Sequence, residues 1–199
     1  MKKNQEDCLG EKKMGKVEPK GVSPDLWGNH TWRMLHGIAC LVRSDPTREK
    51  TELVYVLLHT LPVLLPCAMC RTNLKAHMHA RPIPTRCGTE ALSAEALQAW
   101  IHEIHNAVNI LVGKPIVQPR DGMDGEFRAM SHAQRLERVV CSWRAATVYM
   151  RICVDERRRF TDPACGVIND AWAMYVACVP KLLRLVEGGE KKSGGRAWK

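Results

Sequence analysis

The stretch L-P-V-L-L-P-C-A-M-C-R-T-N, residues 61–73, joins the end of an apolar run to Cys67 and Cys70. A helix that starts near Pro66 puts both sulfurs in its first turn, because proline is accepted at the first helical position and pre-sets its φ. Unpaired backbone N–H groups and the positive end of the helix dipole then favour a thiolate there, and Arg71 adds to the effect. A dithiol held this way exchanges with other disulfides. The same C-x-x-C spacing also supplies half of a zinc site, so the flanking stretches decide between the two chemistries.

Upstream, Leu53, Val56, Leu57, Thr60, Leu61 and Leu64 follow helical spacing, and Asp45-Pro46-Thr47 starts their helix. Pro62 is expected to kink that helix or to end its regular part near Leu61. Before it, Ser23-Pro24-Asp25 opens a first helix over about 24–43, with Trp32, Leu35, Ile38, Ala39 and Val42 as apolar positions. Downstream, the dithiol helix runs to about His79 and stops before Arg81-Pro82-Ile83-Pro84; the loop over 81–90 holds Cys87. A fourth helix from about Ser93 to Val112 carries Leu97, Trp100, Ile101, Ile104 and Val108, and Gly113 stops it. Helices joined by short loops make a bundle, and no strand pattern competes. The fold class is all-α.

The clearest boundary lies in K-P-I-V-Q-P-R-D-G-M-D-G, residues 114–125. The chain divides into a polar, lysine-rich tail (1–22), a bundle (23–116), a linker (117–127), a C-terminal helical domain (128–187) and a second tail (188–199). In the C-terminal part, helices over about 128–156 and 166–186 flank a turn at Asp162-Pro163. Its Trp143, Tyr149, Trp172 and Tyr175 suit either a buried interface or a private core.

A 45% apolar content marks a globular protein, and a formal charge of +9 suits an acidic partner or surface without identifying one. Nucleic acid is not the expected partner, since the arginines are not interleaved with aromatic platforms. No run of apolar residues is long enough to predict a membrane span. The start, M-K-K-N-Q-E-D-C, lacks the apolar segment of a secretory signal. Nine cysteines, at 8, 40, 67, 70, 87, 141, 153, 165 and 178, point to metal, disulfides or redox chemistry; the odd number leaves one outside any intrachain set. Cys8 on its tail can pair with another subunit. Neither the Cys141/Cys153 nor the Cys165/Cys178 interval places two sulfurs on one helix turn, so pairing there is between helices.

Two further motifs stand on helices that the apolar pattern packs side by side. One is Trp27-Gly28 followed by Trp32, Leu35 and His36; the other is His105-Asn106, Asn109 and Lys114-Pro115. Trp32 and His36 are one turn apart, as are His105 and Asn109. Flat rings and amide donors beside a dithiol can hold a planar polar cofactor against a cysteine.

These residues resemble the ERV/ALR family of FAD-dependent sulfhydryl oxidases, and the wording around Trp27-Gly28 and Leu65-Pro66-Cys67 is most similar to its short viral members. The resemblance covers about residues 24–116. It implies a four-helix bundle around FAD with a short extra helix, and a homodimer. It also implies an enzyme, an FAD-linked thiol oxidase in which Cys67 and Cys70 are catalytic. Cys67 is then the outward member that forms the mixed disulfide, and Cys70 passes electrons to FAD and on to dioxygen, giving hydrogen peroxide. Trp32, His36, His105, Asn106, Asn109 and Lys114 are implied to bind the cofactor. The implied substrates are cysteine-containing proteins or a thioredoxin-like carrier. The viral branch implies action in the host cytoplasm or virion.

The sequence departs from the family in two places. Many cellular relatives have a structural cysteine where this chain has His102, which leaves Cys87 without that partner. The tails also lack a second C-x-x-C. For residues beyond the linker the resemblance is silent; they are either an added helical unit or a diverged remnant of a second bundle. The rival reading is a zinc-binding helical interaction module built on Cys67, Cys70, His77 and His79, but its H-x-H spacing is tight for a tetrahedral site, and it leaves both aromatic and amide motifs unexplained.

Overall fold

The run M-L-H-G-I-A-C-L-V at 34–42 leaves the second half of α1 (Pro24–Arg43) with almost no polar face, and all nine residues are buried. A helix apolar on every side must be surrounded. The computed structural model, which describes residues 22–43, 47–84, 94–119, 121–159 and 164–193, shows what surrounds it. The elements are α1, α2 (Arg48–Leu64), α3 (Ala68–Ala80), α4 (Ala94–Leu111), α5 (Gly122–Ala129), α6 (His132–Arg159) and α7 (Cys165–Ser193). Among the described residues every regular element is helical. The tightest packing lays α6 along α1 and α7 along α2, with α3, α4 and α5 set against that core. The all-α bundle expected from periodicity is the fold observed.

Local signals explain several helix ends. Thr47 caps α2 by accepting from the Lys50 N–H at 3.3 Å. Pro62 does not end α2, which continues to Leu64 and closes with Leu65 N–H to Leu61 C=O at 3.0 Å. Arg157 of α6 donates to the Val63 carbonyl at 2.9 Å, supplying a partner in the last turn from elsewhere in the chain. Gly113, at φ 71°, stops α4 in the left-handed conformation that glycine adopts without strain.

Two features differ from the pattern. The stretch read as a linker holds most of α5, which runs two residues beyond it and whose two turns are too short, and too rich in glycine, for periodicity to reveal. The last helix continues to Ser193 rather than ending near 186. Residues 1–21 of the expected tail with Cys8, Asp45-Pro46, residues 85–93 with Cys87 and Ser93, the Asp162-Pro163 turn and residues 194–199 lie outside the described residues.

The C-terminal helices share one apolar core with α1 and α2. Tyr175 on α7 is fully buried; its hydroxyl lies 3.0 Å from Thr147 Oγ1 on α6 and 3.9 Å from Met34 Sδ on α1. Burial pushes its phenol pKa well up, so it stays a neutral hydrogen-bonding group. Thr147 also donates to the Trp143 carbonyl at 2.7 Å, leaving its lone pairs to accept from Tyr175. Tyr175→Phe is expected to cost about 1 kcal/mol, the net worth of one buried hydrogen bond. Urea unfolding is expected to show that loss in the transition of the whole protein. A separate early transition of 132–193 would contradict the shared core.

Candidate active site

The site is assembled from three helices, and its reactive element sits at the start of α3. Cys67 is the N-cap, with extended backbone, and its Sγ accepts from the Cys70 N–H at 3.1 Å. Cys67 and Cys70 form a disulfide with Cα atoms 5.1 Å apart. Both are half-buried, and Met69 between them is 72% exposed. The arrangement places sulfur against the unpaired N–H end of a helix, but that helix begins at Ala68 with Cys67 as its cap, so Pro66 precedes the cap and does not occupy the first helical position. Arg71 donates to the Leu65 carbonyl at 2.8 Å and approaches Cys153 Sγ at 3.9 Å, so its guanidinium braces the turn leading into the dithiol.

Beneath α3 lies a cavity of about 710 Å³. Trp32 from α1, Trp100, His105 and Asn109 from α4, Lys114 and Cys70 contribute to its wall. Cys67 does not line it. The Trp32 and His105 rings are stacked, 4.1 Å apart and 9° from parallel. Asn109 is buried, and Lys114 stands exposed at the rim.

His36 and Asn106 occupy different places. His36 is buried behind His105, with its Nε2 3.0 Å from His105 Nδ1, and faces a smaller cavity of about 330 Å³ that shares His105, Asn109 and Lys114 with the larger one. Asn106 accepts from the Val117 N–H at 3.0 Å and donates to the Val117 carbonyl at 2.9 Å, pinning the segment after α4. Its Nδ2 also donates to His102 Nε2 at 3.1 Å.

One residue escaped the sequence reading. Asp124 on α5 is only 2% exposed and accepts from His36 Nδ1 at 2.8 Å and Gln98 Nε2 at 3.1 Å. Its other oxygen lies 3.3 Å from His102 Nδ1. Burial opposes ionisation, but the hydrogen bond and charge of His36, with Gln98 and His102, hold the carboxyl below its ordinary range. The available signal was weak: Met123, Phe127 and Met130 have helical spacing over little more than two turns.

His105 is pushed down to about 3 by burial first, then by the neighbouring His36 and His102, against the pull of Asp124. It therefore stacks on Trp32 as a neutral ring. The unfolded chain takes up a proton at this position below its ordinary value of 6.5, whereas the folded chain does not until about 3. Stability is therefore lost as pH falls through that window. Thermal melts are expected to drop on acidification below about pH 6.5, and His105→Phe, which keeps a flat ring, is expected to flatten the slope there. An unchanged slope would contradict a half-buried neutral imidazole.

Among the described residues no group of three or more His, Cys, Asp or Glu side chains is arranged to hold a metal ion. The zinc reading also loses its two thiolates, because Cys67 and Cys70 are joined to each other.

A sequence profile of the Erv1/Alr family matches residues 29–128. The chain belongs to the Erv1/Alr family. It is 33% identical over 97 residues to a probable FAD-linked sulfhydryl oxidase of Acanthamoeba polyphaga mimivirus, covering 48% of this chain and 65% of that protein. To an FAD-linked sulfhydryl oxidase of Oryza sativa subsp. japonica it is 31% identical over 105 residues, 53% of this chain and 50% of that one. A putative FAD-linked sulfhydryl oxidase of Invertebrate iridescent virus 3 is 29% identical over 96 residues, 47% of this chain and 61% of its own length. The chain thus spans between half and two thirds of these relatives. No solved structure matches it. The family segment contains the dithiol, the stacked rings and Asp124, and ends before α6 begins.

Proposed function

We propose that the protein is an FAD-dependent sulfhydryl oxidase that forms disulfides in protein thiols. The observation that carries this reading is the placement of a C-x-x-C disulfide with one sulfur, Cys70, on the wall of a cavity that Trp32 and His105 line with stacked rings. Family membership and the mimiviral and plant relatives support it. FAD fits the residues present: flat, mostly apolar walls suit its two ring systems, and Lys114 and Asn109 suit its anionic and polar parts. Trp32, His105, Asn109 and Lys114 are proposed to hold it directly, with His36 and Asn106 fixing that wall from behind.

In this reading a substrate thiolate attacks Cys67, the sulfur off the cavity wall, breaking the Cys67–Cys70 bond and forming a mixed disulfide. Cys70 leaves as a thiolate at the cavity wall. A second substrate thiol then attacks the mixed disulfide, releasing oxidised substrate, and the Cys70 N–H and the start of α3 stabilise the departing Cys67 thiolate. Bound FAD supplies the two-electron acceptor that restores the disulfide and passes the pair to dioxygen. The balance is two thiols and one dioxygen giving one disulfide and one hydrogen peroxide.

Cysteine-bearing proteins or a thioredoxin-like carrier are the proposed substrates. The homodimer implied by the resemblance must use surface other than the faces of α1 and α2 that α6 and α7 cover, and sedimentation velocity tests it. The decisive experiment is the visible spectrum of the purified protein, followed by oxygen uptake on adding a dithiol. Flavin absorption near ~450 nm with thiol-dependent oxygen uptake is the expected result. A folded protein that neither retains nor binds FAD sinks the proposal.

A further inference from the structure

We infer that Asp124 is a positioning residue for the cofactor cavity, holding the His105 ring against Trp32 by fixing the proton and orientation of His36. This deepens the flavin reading above and rests on it.

A carboxylate as buried as Asp124 persists only where donors replace its water, and three converge on it: His36 Nδ1 at 2.8 Å, Gln98 Nε2 at 3.1 Å and His102 Nδ1 at 3.3 Å. An ionised carboxylate only accepts, so both imidazoles carry a proton on Nδ1. The opposite edge of His102 is consistent with this. Asn106 turns its oxygen to the Val117 N–H, so its Nδ2 donates to His102 Nε2, and His102 is the neutral Nδ1–H tautomer.

His36 passes the constraint onward. Its Nε2 meets His105 Nδ1 at 3.0 Å, and one proton lies between the two nitrogens. Carried on His105, it leaves both rings neutral; carried on His36, with His105 holding a proton from solvent on Nε2 and so still neutral, it makes an imidazolium whose charge Asp124 balances. In both states an unbroken chain runs from α5 through α1 to α4, ending on the ring that stacks flat on Trp32. Without the carboxylate, only His105 among the described residues bonds the His36 ring, so the protonated His36 nitrogen is no longer specified and the His36–His105 bond loses its fixed direction. The chain stands in the wall that the two cavities share, and removing its anchor is therefore felt in the larger one.

The first test is an imidazole ¹⁵N–¹H correlation spectrum of the wild-type holoprotein. His36 and His102 are expected to be protonated at Nδ1; either one found as the Nε2–H tautomer overturns the inference. The second uses Asp124→Asn, which keeps size and removes charge. FAD release, followed by the rise in free-flavin fluorescence, is expected to speed up about tenfold, the scale of one charge-assisted hydrogen bond. Because the effect runs through His36, Asp124→Asn is expected to add nothing in a His36→Gln background. Release at the wild-type rate, or independent multiplication of the two effects, overturns the positioning role and leaves the flavin reading intact. A wild-type protein that binds no FAD sinks both. Where Asp124→Asn does not fold, the wild-type spectrum decides.

Discussion

Cys70→Ser is expected to abolish thiol-driven oxygen uptake while the protein stays folded and yellow. Serine nearly matches cysteine in size, and position 70 is half-buried at the start of a helix that contains no fully buried residue, so little packing is lost. The cofactor walls, Trp32, His105, Asn109 and Lys114, are untouched. What disappears is the sulfur at the cavity wall, and with it the route from substrate to acceptor. A loss on the order of a thousandfold or more is expected, as for removal of other covalent catalytic groups. Oxygen-electrode rates on a dithiol check it, and a variant keeping a tenth of wild-type rate would refute the assignment. Cys67→Ser is expected to lose turnover as well, but the two differ in exposure. With FAD bound, the Cys70 thiol left by Cys67→Ser is expected to resist alkylation, whereas the Cys67 thiol left by Cys70→Ser is expected to react with or without FAD.

Gly37→Ala carries the largest expected loss of stability from a single methyl group. A Cβ at Gly37 would lie 2.8 Å from Phe127 Cε1 and Cζ and would overlap Val139 Cγ2. Phe127 and Val139 are both fully buried, so neither a swung side chain nor solvent offers relief. Replacing glycine within a helix gains about 1 kcal/mol of propensity. Overpacking a closed core costs about 3 kcal/mol when backbone must shift, so the steric effect wins by about 2 kcal/mol. The urea midpoint is expected to fall accordingly, and Val139→Ala in the same chain is expected to recover part of the loss. The damage also has a functional arm. Phe127 and Asp124 share α5, and α5 pushed away from α1 lengthens the 2.8 Å bond from His36 to Asp124. FAD retention is therefore expected to fall with stability, in a variant whose changed residue touches neither cofactor nor dithiol.

The position of Gly37, between a motif histidine and two residues outside the recognised motifs, separates what is local from what is not. Helix identity was legible because it depends on neighbours within a turn or two: the apolar spacing of α2 and α4, Asp45-Pro46-Thr47 as a start, Gly113 as stop and a helix beginning at the dithiol. Trp32, His105 and Asn109 were legible because they stand at fixed spacings on α1 and α4, whose apolar faces are readable, and one cavity brings them together with Cys70 and with Lys114, which follows α4. The sequence by itself therefore determined an all-α chain with a C-x-x-C dithiol at a helix start and flat rings on neighbouring helices. Only the tertiary structure decided that α6 and α7 lie along α1 and α2, and that Asp124 is buried against His36. Those facts join residues such as 36 and 124, which are 88 positions apart. No local propensity encodes such a pairing, because packing of whole helices brings its two halves together.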